Sequence, residues 1–114
     1  MFEKEIDKGV ALLDEHRPQW YLHVDLDALD LDHCGQCVMG QTFGYFADGI
    51  YRLIQVTDPG ADFWGFAEDH GFSVDTDGHD AEEEYGVVHD MYQTLTKEWV
   101  NRIIHIRNTR KHDR

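Results

Sequence analysis

Tyr85-Gly86-Val87-Val88-His89-Asp90-Met91-Tyr92-Gln93-Thr94-Leu95-Thr96-Lys97-Glu98-Trp99-Val100-Asn101-Arg102-Ile103-Ile104-His105-Ile106 decides the fold. Tyr85, Val88, Tyr92, Leu95, Trp99, Ile103 and Ile106 recur at steps of three and four, which puts them on one face of an α-helix. The spacing predicts a long amphipathic helix over 81–107. Asp80 precedes it as an N-cap, and Glu82, Glu83 and Glu84 occupy the first turn, where the helix dipole favours acids. A helix with one apolar face must bury it against other elements, so the rest of the chain is read for partners.

Upstream, Phe2, Ile6, Val10 and Leu13 also fall at helical spacing, predicting a helix over 3–16. Pro18 stops it, because the residue before a proline resists the α region. A short helical turn then carries Trp20, Tyr21 and Leu22. Val24 to Asp32 alternates apolar and acid, but Asp is poor in strands and no partner strand is evident. It reads as an extended segment whose leucines plug the core and whose Asp30 or Asp32 caps the next helix. That helix is expected from near Cys34 to Phe43 or Phe46, with Gly40 and Gly44 four apart to admit another helix. A further helical stretch holds Ile50, Leu53 and Ile54. Asp58-Pro59 looks like an N-cap followed by a first-turn proline. Phe63, Trp64, Phe66 and Ala67 form the apolar face of the helix so started, and Gly71 is its left-handed stop. Phe72 and Val74 anchor the exit into the polar loop from Asp75 to Asp80.

Together these elements predict an all-α fold, a compact single-domain bundle of four to five helices spanning 1–107. Residues 108–114 are expected to form a frayed basic tail. The C-terminal helix is expected to pack Tyr85, Val88, Tyr92, Leu95 and Trp99 against the helices that hold Leu13, Val38 and Trp64.

The chain has 114 residues, a length suited to one domain. Six Phe, five Tyr and three Trp argue against disorder. No apolar run approaches the ~20 residues of a membrane span, and charge from residue 3 speaks against a signal peptide. Two cysteines cannot build a secreted disulfide scaffold. These features lead to a cytoplasmic expectation. The net charge of −13 is unevenly held. Residues 18–96 carry sixteen acids and one base, Arg52, whereas residues 97–114 carry two acids and six bases. Direct binding to nucleic acid or to an anionic membrane is disfavoured by this balance.

One block of the chain resembles a known group. Ala11 to Trp20, Asp25-Leu26-Asp27-Ala28-Leu29-Asp30-Leu31 and Cys37-Val38-Met39-Gly40-Gln41-Thr42-Phe43-Gly44 carry the likeness, with Gly71-Phe72 and the Tyr85-to-Trp99 helix later. The sequence resembles small uncharacterised proteins of actinobacteria and of the phages that infect them. Met39 and Thr42 stand where that group prefers Leu. The resemblance implies a small helical fold and a phage-type setting, with host cytoplasm as the location. It transfers no activity.

Several residues could carry chemistry. His33-Cys34-Gly35-Gln36-Cys37 sets two thiols and an imidazole at metal-ligand spacing, yet a closed zinc site needs four ligands. Redox exchange is the other reading of a Cys-x-x-Cys at a helix start. Structural cysteines are the bland reading. Ser73 to Glu84 partly fits a calcium loop, with Asp75, Asp77, Gly78 and Glu84 in place but Ser73 where Asp is needed and Asp80 where an apolar residue is usual. Asp25, Asp27, Asp30 and Asp32 suit a hard cation, but no phosphate-binding glycine loop or Walker lysine accompanies them. The eight histidines form no His-Glu-x-x-His pattern, and no nucleophile elbow occurs.

The leading expectation is a non-enzymatic, phage-type accessory protein that binds a host protein through its acidic surface. The partner would be basic or nucleic-acid-binding, and the roles considered are host takeover, counter-defence and DNA mimicry. The face expected to do this comprises Asp58, Asp62, Glu68, Asp69, Asp75, Asp77, Asp80, Glu82, Glu83 and Glu84. The alternative is a small zinc-binding or redox protein centred on Cys34 and Cys37 with His33. A third is a homodimer through the Tyr85–Ile106 stripe.

Overall fold

Five α-helices and one short 3-10 turn account for the ordered elements of the computed structural model, which describes residues 1–75 and 85–110, with Tyr85 described for its backbone alone. The helices are α1 (Glu3–His16), α2 (Val38–Phe43), α3 (Phe46–Thr57), α4 (Phe63–Asp69) and α5 (Tyr85–Thr109), with the 3-10 turn at Trp20–Leu22. The architecture is all-α, and no strand occurs among the described residues. The expected helix starts at 81–84 lie outside those residues.

The stripe on α5 is buried along most of its described length. Leu95, Trp99, Ile103 and Ile106 are buried, while Val88 and Tyr92 are half-buried. They meet Ile6, Val10 and Leu13 of α1, Val38 and Met39 of α2, and Ile50 and Leu53 of α3 in one core. Most of the described stripe is therefore spent on the chain's own interior, while Val87 and Ile104 of the same helix stay exposed. Trp64 departs from expectation: it is 56% exposed. α4 is a seven-residue helix whose Phe66 and Ala67 take the inward side, and Trp64 lies two positions, some 200°, from Phe66.

Two helix starts differ from the sequence reading. Asp58-Pro59 does not open α4. Asp58 ends α3, and the Ala61 N–H donates to its carbonyl at 2.9 Å across a tight turn. Asp62 is the cap, its Oδ2 accepting the Gly65 N–H at 2.7 Å. Both aspartates can cap; Asp62 is followed by Phe63 and Trp64, whereas Asp58 is followed by Pro59 and Gly60 and is taken up in the turn that leaves α3. α2 begins at Val38 rather than near Cys34, because residues 30–37 are taken up in turns. Its cap is Cys37, whose Sγ accepts the Gly40 N–H at 3.2 Å. Asp25 and Asp30 instead close their own turns, accepting the N–H of Asp27 and Asp32, both at 3.0 Å. Gly40 admits the chain's own turn, not another helix: a Cβ there would overlap the Cys34 carbonyl.

The segment from Val24 to Leu31 is irregular yet fixed. Val24, Leu29 and Leu31 are buried. Gln41 accepts the Asp25 N–H at 2.6 Å and donates to the carbonyls of Asp25 and Gln36. Thr96 on α5 accepts the Leu31 N–H at 3.0 Å.

α1 and α5 run parallel, side by side, with a nearly constant offset in sequence. Glu98 accepts the Phe2 N–H at 2.8 Å and the N-terminal ammonium at 3.3 Å. Arg102 pairs with Asp7 at 2.7 Å. Arg110 forks onto both Asp14 oxygens at 2.9 Å each. Arg107 donates to the carbonyls of Tyr21 and Val24 at 2.8 and 2.6 Å. The C-terminal end is thus anchored two to three residues beyond the expected domain boundary at 107. α5 continues to Thr109 and Arg110 is held; residues 111–114 lie outside those described. Cations at a helix C-terminus suit the dipole, but here three arginines also clamp the first helix and the segment after it.

Asp14 makes the clamp sensitive to acid. Burial raises its carboxyl, but the hydrogen bonds from Arg110 and Trp20 outweigh that and hold it below the ordinary value. A depressed folded pKa contributes stability above the unfolded value, and that stability is lost as pH falls through the lower folded value. Asp14→Asn is expected to lower stability at neutral pH by about 1–2 kcal/mol, since it weakens a forked ion pair and the bond to the buried Trp20. It is also expected to flatten the acid limb below about pH 4. Urea unfolding across pH measures both, and parallel acid limbs for the two proteins would contradict this role.

Candidate partner-binding face

The described acids of the expected face come together around α4. Asp58 is exposed at the end of α3, Asp62 caps α4, Glu68 is half-buried, and Asp69 and Asp75 are exposed. Two grooves flank the helix. One, of about 590 Å³, is lined by Asp58, Asp62, Asp69 and His70. The other, of about 320 Å³, is lined by Glu5, Glu68, Asp69, Ser73 and Asp75. Lys8 reaches Asp69 at 2.9 Å, both side chains being 55% exposed, so that solvated pair adds little. Asp77, Asp80, Glu82, Glu83 and Glu84 lie outside the described residues. Within the calcium-loop stretch, Ser73 is buried and its Oγ is 3.1 Å from the Tyr92 hydroxyl; the other template positions except Asp75 also fall outside.

The electrostatic asymmetry of the sequence is reshaped by the fold. Among the described C-terminal cations, Arg102, Arg107 and Arg110 are turned inward onto α1 and the Trp20–Val24 stretch. Arg17 lies over the Phe43 ring at 4.6 Å and Arg110 over Tyr21 at 5.2 Å. Arg17, Arg102, Arg107 and Arg110 are therefore engaged within the molecule, while Asp58, Asp62 and Asp69 stay exposed on the α3–α4 side, where Arg52 is exposed too.

A feature absent from the sequence reading adjoins that acidic side. Tyr51 is 60% exposed and Trp64 56%. Tyr51 packs on Phe63 at 4.9 Å, Phe63 on Trp64 at 5.0 Å, and both Phe63 and Trp64 touch Phe46. The signal was available in register: Tyr51 sits one position from the buried Ile50, and Trp64 two from Phe66, so neither lies on its helix's inward face.

Cys34 and Cys37 differ sharply. Cys34 is exposed and Cys37 buried. Burial pushes the Cys37 thiol up to about 11, and its Sγ already caps α2. The neighbouring Cys34 thiol raises the Tyr45 phenol above its ordinary value. His33 Nδ1 accepts the Gly35 N–H at 3.1 Å. Among the described residues no group of three or more His, Cys, Asp or Glu is gathered to hold a metal ion. Alkylation of the folded protein is expected to label Cys34 alone, with Cys37 reacting on unfolding. Mass spectrometry of labelled peptides reads this directly, and rapid double labelling in the folded state would contradict it.

Asp27, Asp30, Asp32, His89 and Lys97 line a further cleft of about 560 Å³ between the Val24–Leu31 segment and α5. His89 stands 3.9 Å from Asp32. Asp30 is committed to its own turn.

No helix among the described residues is long and apolar enough to cross a membrane. No protein-family model, curated protein or solved structure matches this chain.

Proposed function

We propose that this protein is a non-enzymatic accessory module that binds a basic cellular protein through the acidic surface around α4. The inward turn of Arg102, Arg107 and Arg110 carries the reading, because it leaves Asp58, Asp62 and Asp69 more exposed than these cations. A field of one sign steers a partner of the other and speeds association. The phage-type setting implied by the resemblance would make the partner a host protein, one that itself handles nucleic acid, with the acidic surface acting as a DNA mimic in host takeover or counter-defence. The zinc or redox alternative at Cys34 and Cys37 has less support, since Cys37 is buried and its sulfur is engaged in a cap.

The test is cross-linked capture of partners by the intact protein, followed by binding kinetics with the purified partner. Asp58→Lys combined with Asp69→Lys is expected to slow association about tenfold at low ionic strength, with the difference shrinking as salt rises. Association at an unchanged rate would remove this face as the site.

A further inference from the structure

The acidic side carries a second, independent feature in its exposed aromatic rings. Tyr51 and Trp64 are the outer members of a connected set whose inner member, Phe46, is 9% exposed. Contiguous exposed rings are unlike singly scattered apolar residues and mark a contact surface. Acids outnumber cations around them: Asp48 lies one helical turn before Tyr51 and Asp62 immediately precedes Phe63, while the exposed Arg52 follows Tyr51. Exposed rings on helices that also carry these carboxylates suit a cation that is planar and weakly hydrated, which describes a guanidinium better than an ammonium. The same fold twice sets an arginine on an aromatic ring, Arg17 on Phe43 and Arg110 on Tyr21.

We infer that Tyr51 and Trp64 form an arginine-reading surface, on which an extended arginine-bearing segment of the basic partner lays its guanidinium groups against the rings while Asp48 and Asp62 take their charge. The inference rests on the acidic-surface reading and specifies how the partner is recognised. The occupant is a segment of another protein, not a second copy of this chain, because the surface is acidic on itself.

Fluorescence anisotropy of a labelled peptide alternating Arg and Gly, against its Lys-Gly counterpart, tests this with the intact protein. The arginine peptide is expected to bind about threefold or more tighter than the lysine peptide, and to keep part of that preference at about 1 M salt, where screening is short-ranged. Tyr51→Ala and Trp64→Ala are each expected to weaken the arginine peptide about two- to fivefold, and together about tenfold, with little effect on the lysine peptide. Trp64→Phe keeps a ring in place and is expected to retain most of the binding, which separates loss of the surface from loss of fold. Equal binding of both peptides, indifferent to Tyr51 and Trp64, would overturn the aromatic role while leaving the acidic surface standing. Binding of neither peptide would overturn both readings. A dimer in sedimentation that Trp64→Ala abolishes would overturn the choice of occupant.

Discussion

Trp99→Ala is expected to cost about 3–5 kcal/mol, the range for removing a large aromatic side chain from a core. Trp99 is fully buried at the junction of three elements. Its indole stacks on Phe72 with centroids 5.8 Å apart and meets the edge of Trp20 at 5.9 Å. Its Nε1–H donates to the Gly71 carbonyl at 2.6 Å. Truncation removes the rings' contacts and deprives a buried carbonyl of its donor, and the second loss adds to the first. Domains of this size have total stabilities of about 5–15 kcal/mol, so the variant is expected to sit close to its unfolding midpoint at ordinary temperatures. Trp99→Phe separates the contributions. It retains most of the buried area and loses the hydrogen bond, and is expected to cost about 1–3 kcal/mol. Urea denaturation followed by near-UV circular dichroism measures both. A Trp99→Ala protein within about 1 kcal/mol of the parent would show that the α5 core is not what holds the fold.

Gly9→Ala is expected to destabilise by about 2 kcal/mol, against the sign that helix propensity dictates. In the interior of an exposed helix the same change stabilises by about 1 kcal/mol. Gly9 is buried where α1 crosses the exit of α4. A Cβ there would overlap the His70 carbonyl and come within 3.1 Å of the Trp99 ring. Neither neighbour is the loose end of a side chain. His70 immediately precedes Gly71, held at a φ of 76° that glycine adopts without strain, and the carbonyl of Gly71 is the one Trp99 holds. α1 would have to retreat from the core to make room, an overpacking strain of a few kcal/mol that exceeds the propensity gain. Thermal unfolding of Gly9→Ala beside Gly86→Ala, a glycine with open space around its missing Cβ, isolates the effect. Gly9→Ala unfolding above the parent temperature would refute the close approach.

How much of this was legible in the sequence follows from how local each determinant is. The α5 stripe is encoded in a run of residues with one period, so Leu95, Trp99, Ile103 and Ile106 could be assigned inward before any partner was known. Gly71 and Pro18 act on their own neighbours and were equally readable. Trp64 was not, because a helix of seven residues offers apolar groups on two sides and only its packing selects Phe66 and Ala67. The choice between Asp58 and Asp62 as cap likewise turned on where α3 ended. The gathering of acids around α4 was partly legible, since Asp58, Asp62, Glu68 and Asp69 are close in sequence as well as in space. Lys8 beside Asp69, and the inward turn of the C-terminal arginines, join residues 61 to 96 positions apart, and no short-range pattern announces such pairs. The Tyr51–Trp64 surface depends on α3 and α4 being neighbours, and was missed for the same reason.

The parallel alignment of α1 and α5 has a consequence for the order of folding. α1 is synthesised about 95 residues ahead of Glu98, Arg102 and Arg110, three of the groups that secure it. Each of those contacts closes a loop of about 95 residues, an entropy cost on the order of 4 kcal/mol that must be met before the contact contributes anything. The nascent chain therefore leaves α1 without these contacts until residues 98–110 have emerged. Chains arrested before residue 98 should be cut by protease within α1, whereas released chains should resist.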